Sequence, residues 1–163
     1  MVQNLLIDRF HLKVHMEDRS IDAYTLLAVS PKLHQSAPNV RTRCTAGPGP
    51  DGKDPRITNP MLDKIMTCQN VTMEQFCDEL GIYAGPYLYY PPLDNTGLKG
   101  GWDLTVSFSG IDKVKQSAAG DDPNGAVTIF TAVNKQLGLK LEKQKRSLPV
   151  LVIDHIDETP TEN

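Results

Sequence analysis

Hydrophobic positions change their period early in the chain. Apolar residues recur at helical spacing within the first ten positions, which predicts a short amphipathic helix. From Leu12 to Glu17 apolar and polar residues alternate, a pattern typical of a strand with one wet face. We expect a turn at 18–20 and a return strand over 21–29. Residues 2–29 are therefore predicted to form a helix–strand–turn–strand unit.

The same pattern occurs again near the end of the chain. Residues 12–20 and 139–147 align without a gap at an offset of 127 (139 minus 12), and Leu, Lys, Arg and Ser are identical. An apolar helical stripe over 129–137 precedes the second copy. Segments 2–29 and 128–155 are thus predicted to be equivalent units. Because one unit cannot bury its own sheet face, we expect an α+β fold with a mixed or antiparallel sheet and helices packed on it.

The segment between the copies divides in two. Residues 31–60 hold six of the twelve prolines, so we expect a mobile Pro/Gly loop there rather than a packed element. Residues 61–108 are predicted to form a helix and a strand, with Thr72 as the N-cap of the helix. Phe76 and Leu80 lie on the apolar stripe of that helix, so both are expected to be buried.

Length and composition predict one domain over residues 1–163 and exclude some partners. A net charge of −3 and a pI near 5.8 argue against nucleic acid, which requires a basic excess. No apolar run reaches the ~18 residues of a membrane span, and no secretion signal opens the chain.

Three cysteines without a CxxC pair do not support a zinc ribbon or a thioredoxin-type site. Cys68 and Cys77 are close enough in sequence to be bridged. The simpler interpretation is that the cysteines are buried free thiols, with Cys77 on the apolar face of the middle helix.

Four segments carry a resemblance to a known family. Residues 5–15, 94–103, 129–142 and 152–163 resemble, in order, soil-associated proteins of unknown function that are expanded in Acidobacteria. The resemblance implies export to the periplasm or beyond, and a likeness to the short N-terminal domains of secretins and TonB-dependent receptors. It implies no established chemistry. Such proteins usually begin with a secretion signal and a further N-terminal region, so Met1 is expected to be an internal start or an artificial boundary.

Histidines on the first predicted strand are the candidate catalytic residues. His11 and His15 lie four residues apart, and a strand places them ~13 Å apart, too far to bind one metal ion. Either imidazole can act as a general base, with Asp22 among the carboxylates that would orient it. The simpler interpretation is a solvated strand face.

An acidic turn is the candidate metal site. Asp121, Asp122 and Asn124 supply the hard oxygen ligands that Ca²⁺ prefers, although their spacing is not that of an EF-hand. An Asx-rich turn before a helix explains the same residues without a cation. No other cofactor is expected.

Two functions remain open at this point. Hydrolase, zincin and nucleotide-binding motifs are absent from the sequence, which favours a non-catalytic interaction module of an exported bacterial protein. Its partner would be a protein or a small molecule. The alternative is a small hydrolase that acts on an ester or lactone, with or without the assistance of Ca²⁺.

Overall fold

The computed structural model describes residues 2–117 and 125–161 and contains helices and strands in mixed order. Its helices are α1 (Val2–Phe10), α2 (Met73–Tyr83), α3 (Ile111–Gln116) and α4 (Ile129–Leu137), with a 3-10 turn at Pro55–Ile57. Its strands are β1 (Lys13–Ala28), β2 (His34–Gln35), β3 (Arg43–Ala46), β4 (Lys64–Val71), β5 (Pro92–Asp94), β6 (Trp102–Phe108) and β7 (Leu139–His155).

The strands form two sheets. One has the order β5-β1-β7, and β5 runs parallel to β1. The other has the order β2-β6-β4-β3 and is antiparallel throughout. Side-chain contacts between β1 and β7 join His15 to Asp154 and Asp22 to Lys145. The residue numbers in β7 decrease as those in β1 increase, so these two strands are antiparallel. The predicted α+β fold with mixed and antiparallel sheets is confirmed.

By its internal contacts the chain divides into two compact units. Unit 1 comprises residues 1–22 with 145–163, and unit 2 comprises 23–144. Unit 2 contains the hydrophobic core, to which β4, β6, α2 and α4 contribute most of the side chains. In unit 1, by contrast, every described residue is exposed or only half-buried. The prediction of a single domain stays a prediction.

Helix α2 forms as its sequence pattern indicates. Thr72 Oγ1 accepts a hydrogen bond from the Gln75 amide at 3.2 Å, and the Gln75 side chain accepts one from the Thr72 amide at 3.0 Å. This capping box fixes the start of the helix. Phe76 and Leu80 are both fully buried, which confirms the prediction made for them.

The predicted hairpins are wrong. Strand β1 continues through Asp18 and Ser20, and β7 continues through residues 145–147, so each copy is a helix followed by one long strand. The physical reason is that the three residues at each predicted turn, 18–20 and 145–147, include no glycine, asparagine or proline, the residues that most favour a tight turn. Each strand instead satisfies its backbone groups against the other strand.

The repeat itself coincides with the helix boundaries. Adding the offset of 127 to Val2–Phe10 gives 129–137, which is the range of α4. The residue that follows each helix has a left-handed backbone, with φ of 49° at His11 and 67° at Gly138. These two positions are also 127 apart (138 minus 11). Each copy is thus a nine-residue helix, a left-handed residue and a long strand.

The Pro/Gly segment contains more regular structure than predicted. Within residues 31–60 lie β2, β3 and the 3-10 turn, and β3 pairs with β4 from Arg43 to Ala46. The expectation that this segment holds no packed element is wrong. Proline density hides the short run 43–46, which contains no proline and pairs along the free edge of β4.

Candidate functional site

His15 lies on β1 with carboxylates on both sides of its ring. Its Nδ1 atom is 2.9 Å from Asp154 Oδ2, and its Nε2 atom is 3.7 Å from Glu17 Oε2. The hydrogen bond to Asp154 and the charge of that carboxylate raise the pKa of His15 above its ordinary value. The side chain is about half exposed. The contacts thus hold the imidazole between two carboxylates on an open strand face.

His11 is engaged with the C-terminal tail. Its Nδ1 atom lies 2.6 Å from Asp157 Oδ2, while the other oxygen of that carboxylate is 2.9 Å from His155 Nε2. The hydrogen bond from His11 is the main cause that lowers the pKa of Asp157. The backbone supports the same contact, because the Asp157 amide donates to the Phe10 carbonyl at 2.8 Å. His11 therefore ties the end of α1 to the tail.

Asp22 does not orient either histidine. Its carboxylate pairs with Lys145 Nζ at 3.3 Å, and seven residues of extended strand, ~23 Å, separate it from His15. The candidate Ca²⁺ ligands Asp121, Asp122 and Asn124 lie outside the described residues. Within residues 2–117 and 125–161, no three His, Cys, Asp or Glu side chains converge as metal ligands.

A cavity of about 830 Å³ lies in unit 2, and none of the predicted catalytic residues lines it. Residues of β4 and β6 form its floor, and residues 49–55 with Ile57 and Thr58 line its rim. The polar groups of the floor bind one another: Thr67 Oγ1 donates to the Gly47 carbonyl at 2.8 Å and lies 3.1 Å from Thr105 Oγ1. Asp103 Oδ1 accepts from the Asn70 amide at 2.8 Å. These polar groups of the floor thus already have partners within the chain.

The cysteines also differ from their predicted state. Cys44 and Cys68 are directly opposed in β3 and β4 and form a disulfide. The expectation of free thiols is therefore wrong for this pair, although it is right for buried Cys77. Burial raises the pKa of the Cys77 thiol to about 12, so it remains protonated and is not a nucleophile near neutral pH.

Exposed apolar side chains concentrate in unit 1. Of the eleven large hydrophobic residues exposed in the described part of the chain, seven belong to this small unit. They are Val2, Leu5, Ile7, Met16, Leu151, Ile153 and Ile156. We call this set the unit 1 apolar surface. Large exposed apolar patches are characteristic of interaction sites, so this set is the candidate binding surface.

Sequence patterns gave an incomplete account of these sites. Asp154 and Asp157, which bind the two predicted histidines, and His155, which binds Asp157, were not singled out. Their only sequence signal is a short run of acidic residues with a histidine at the end of an apolar strand. The unit 1 apolar surface was not predicted at all. Its helix has the ordinary stripe of a core helix, and periodicity does not tell whether such a stripe is covered.

The fold and its surfaces define an α+β chain with a buried core in one unit and an uncovered apolar surface in the other. No described helix has the length and apolarity to cross a membrane. The chain belongs to a family described as a protein of unknown function (DUF3738), whose pattern matches residues 1–156. No curated protein and no solved structure matches it.

Proposed function

We propose that this chain is a non-catalytic interaction module that binds its partner through the unit 1 apolar surface. The observation that carries the proposal is that apolar side chains are buried in unit 2 but exposed in unit 1. Leu5 and Val2 are 55% and 69% exposed, although they lie on the apolar stripe of α1. Burial of such a surface against a partner favours binding by about 25 cal/mol for each Å² of apolar area removed from water.

Export of the module is part of the proposal. The Cys44–Cys68 disulfide supports it, because disulfides persist in oxidising compartments such as the periplasm and are rare in the bacterial cytosol. The family resemblance of the sequence also implies export. The test is the count of reactive thiols in denatured protein taken from the periplasm and from the cytoplasm of an expression host. Export with a formed disulfide predicts one thiol per periplasmic chain.

The binding proposal is tested with a probe of exposed apolar surface. We expect the dye bis-ANS to bind the native chain, and Leu5→Asp with Leu151→Asp to remove most of that binding. Ile82→Asp is the matched control, because Ile82 is equally apolar and 75% exposed but belongs to unit 2. Equal binding by all three proteins would contradict the proposal.

The hydrolase alternative stays a prediction and has its own test. A panel of generic esters and acyl lactones is assayed with and without chelator, using the native chain and His15→Ala. Because His15 is held by Asp154 on a half-exposed strand face, we expect no turnover above the buffer blank. Turnover that His15→Ala abolishes would overturn the non-catalytic proposal.

A further inference from the structure

The apolar stripes of the two repeat helices differ in burial. In α4 the apolar stripe is buried: Ile129, Ala132 and Val133 have no exposed surface. The residues at the same positions of α1 are Val2, Leu5 and Leu6, two of which are exposed. One stripe is thus covered and the other is open, although their positions in the repeat are identical.

The strands repeat this contrast. Leu139 and Leu141 at the start of β7 are buried in unit 2, whereas Leu12 and Val14, their counterparts in unit 1, are only half-buried. The elements that cover the copy in unit 2 come from residues 64–108. In the core cluster, α4 and the start of β7 pack with side chains of β4, β6 and α2.

The edge of the first sheet provides a second, independent observation. Strand β5 adds to β1 in parallel: the Tyr24 amide donates to the Pro91 carbonyl at 3.0 Å, and the Leu26 carbonyl accepts from the Asn95 amide at 3.0 Å. With the offset of 127, the counterparts of Tyr24 and Leu26 are Leu151 and Ile153. Within the described residues β7 is an edge strand of its sheet.

Pro149 fixes the direction of that edge. A proline in a strand has no N–H, so it is accommodated where the N–H would point away from the neighbouring strand. Backbone groups alternate in direction along a strand, so those of residues 151 and 153 point the same way as those of Pro149, away from β1. The Leu151 amide and the Ile153 carbonyl thus face outward, as the repeat requires.

We infer that the partner of unit 1 is a polypeptide segment built like residues 64–108, an apolar antiparallel strand pair whose adjoining short strand adds in parallel to β7 at Leu151–Ile153. The inference rests on the proposed function and names the class of partner. Main-chain hydrogen bonds at the edge and apolar contact with α1 would act together, as in other cases of strand addition.

The test supplies such a segment. A copy of residues 32–128 is placed directly before Val2, because in the native chain residue 128 directly precedes α4. We expect amide hydrogen exchange in α1 to slow by about tenfold or more relative to the native chain. Leu5→Asp in the same chimera should restore most of the fast exchange. Exchange in α1 as fast as in the native chain, whether the copy stays unfolded or packs elsewhere, overturns the inference.

Two proline variants test the edge without the chimera. In the native chain Leu151→Pro should leave exchange across β1 and β7 unchanged, whereas Val150→Pro, which removes an amide that points to β1, should accelerate it. In the chimera Leu151→Pro should reduce the protection of α1. Equal damage by both variants in the native chain would contradict the outward direction of the edge.

A second copy of the chain is the competing occupant. If the native chain sediments as a dimer that Leu5→Asp dissociates, the surface binds another copy and the inferred partner class is wrong. The two proposals also fail in different ways. Dye binding that Leu5→Asp removes, together with a chimera that leaves α1 unprotected, refutes only the partner class. Dye binding that is unchanged by Leu5→Asp with Leu151→Asp refutes the proposed function.

Discussion

Helix α1 with β1 and helix α4 with β7 follow one sequence pattern in two different surroundings. Both helices have nine residues, and each is followed by a residue with positive φ. The stripe of α4 lies in the core of unit 2, whereas none of the residues of α1 is buried. The comparison shows that an apolar stripe favours burial of that face of the helix but does not specify which element packs against it.

The largest contrast is expected from truncating one stripe position in each copy. Ile129→Ala removes a fully buried side chain and leaves a cavity, so it should lower the free energy of unfolding by about 2–5 kcal/mol. Val2→Ala, at the same position of the repeat, should change it by less than about 0.5 kcal/mol because Val2 is already exposed. Urea denaturation measures both. Similar losses would mean that α1 is covered after all.

Reduction of the disulfide separates the units in another way. The Cys44–Cys68 bond closes a loop with a sequence separation of 24 in unit 2. Its loss should cost about 2–4 kcal/mol, mainly because the unfolded chain regains freedom. Thermal melts of Cys44→Ser with Cys68→Ser should show this loss, while exchange rates in α1 stay as they are. A double variant that melts like the native protein would argue against the bond.

Alanine substitution of the residues that follow the two helices should affect stability to different extents. At Gly138 a left-handed residue with a side chain costs about 1–2 kcal/mol, and the new Cβ would in addition overlap the Ser30 carbonyl oxygen. Gly138→Ala should therefore destabilise unit 2 by more than that amount. His11 already has a side chain at positive φ, so His11→Ala should have a much smaller effect on the melting temperature.

The smallest effect concerns pH and belongs to unit 1. The raised pKa of His15 means that its contact with Asp154 stabilises fully below pH 6.5 and is lost as pH rises through the folded-state value. The lowered pKa of Asp157 means that its contacts stabilise above pH 3.8 and are lost as pH falls through the folded-state value. Unit 1 should thus be most protected between about pH 4 and 6.5.

Hydrogen exchange corrected for its intrinsic pH dependence measures this window. The rise in exchange of β7 above neutral pH should disappear in His15→Gln, which keeps a polar side chain without the titration. A profile that is flat in the native chain would show that these exposed pairs do not contribute.

The elements that could be predicted from the sequence are those in which every local signal favours the same structure. Helix α2 is an example, since its capping box, apolar stripe and burial agree. The long strands were misjudged at Asp18–Ser20, because consecutive polar residues occur in turns and equally in a strand that is exposed on both faces. Only the pairing of β1 with β7, more than a hundred residues away, decides between the two.

The site was harder to predict for the same reason. His15 and Asp154 are separated by 139 positions, so no local pattern announces their contact. The Cys44–Cys68 pair depends in the same way on the register between β3 and β4. The repeat was detectable because the offset relates residues without any knowledge of contacts.

Pro149 has a further consequence, for the solubility of the chain. An apolar edge such as residues 150–153 is the kind of template on which identical strands stack into open-ended fibrils. A proline with its missing N–H on the outer side ends any ladder that grows along that edge. An added strand can therefore be only a few residues long, enough for one specific docking event and too short to seed an aggregate.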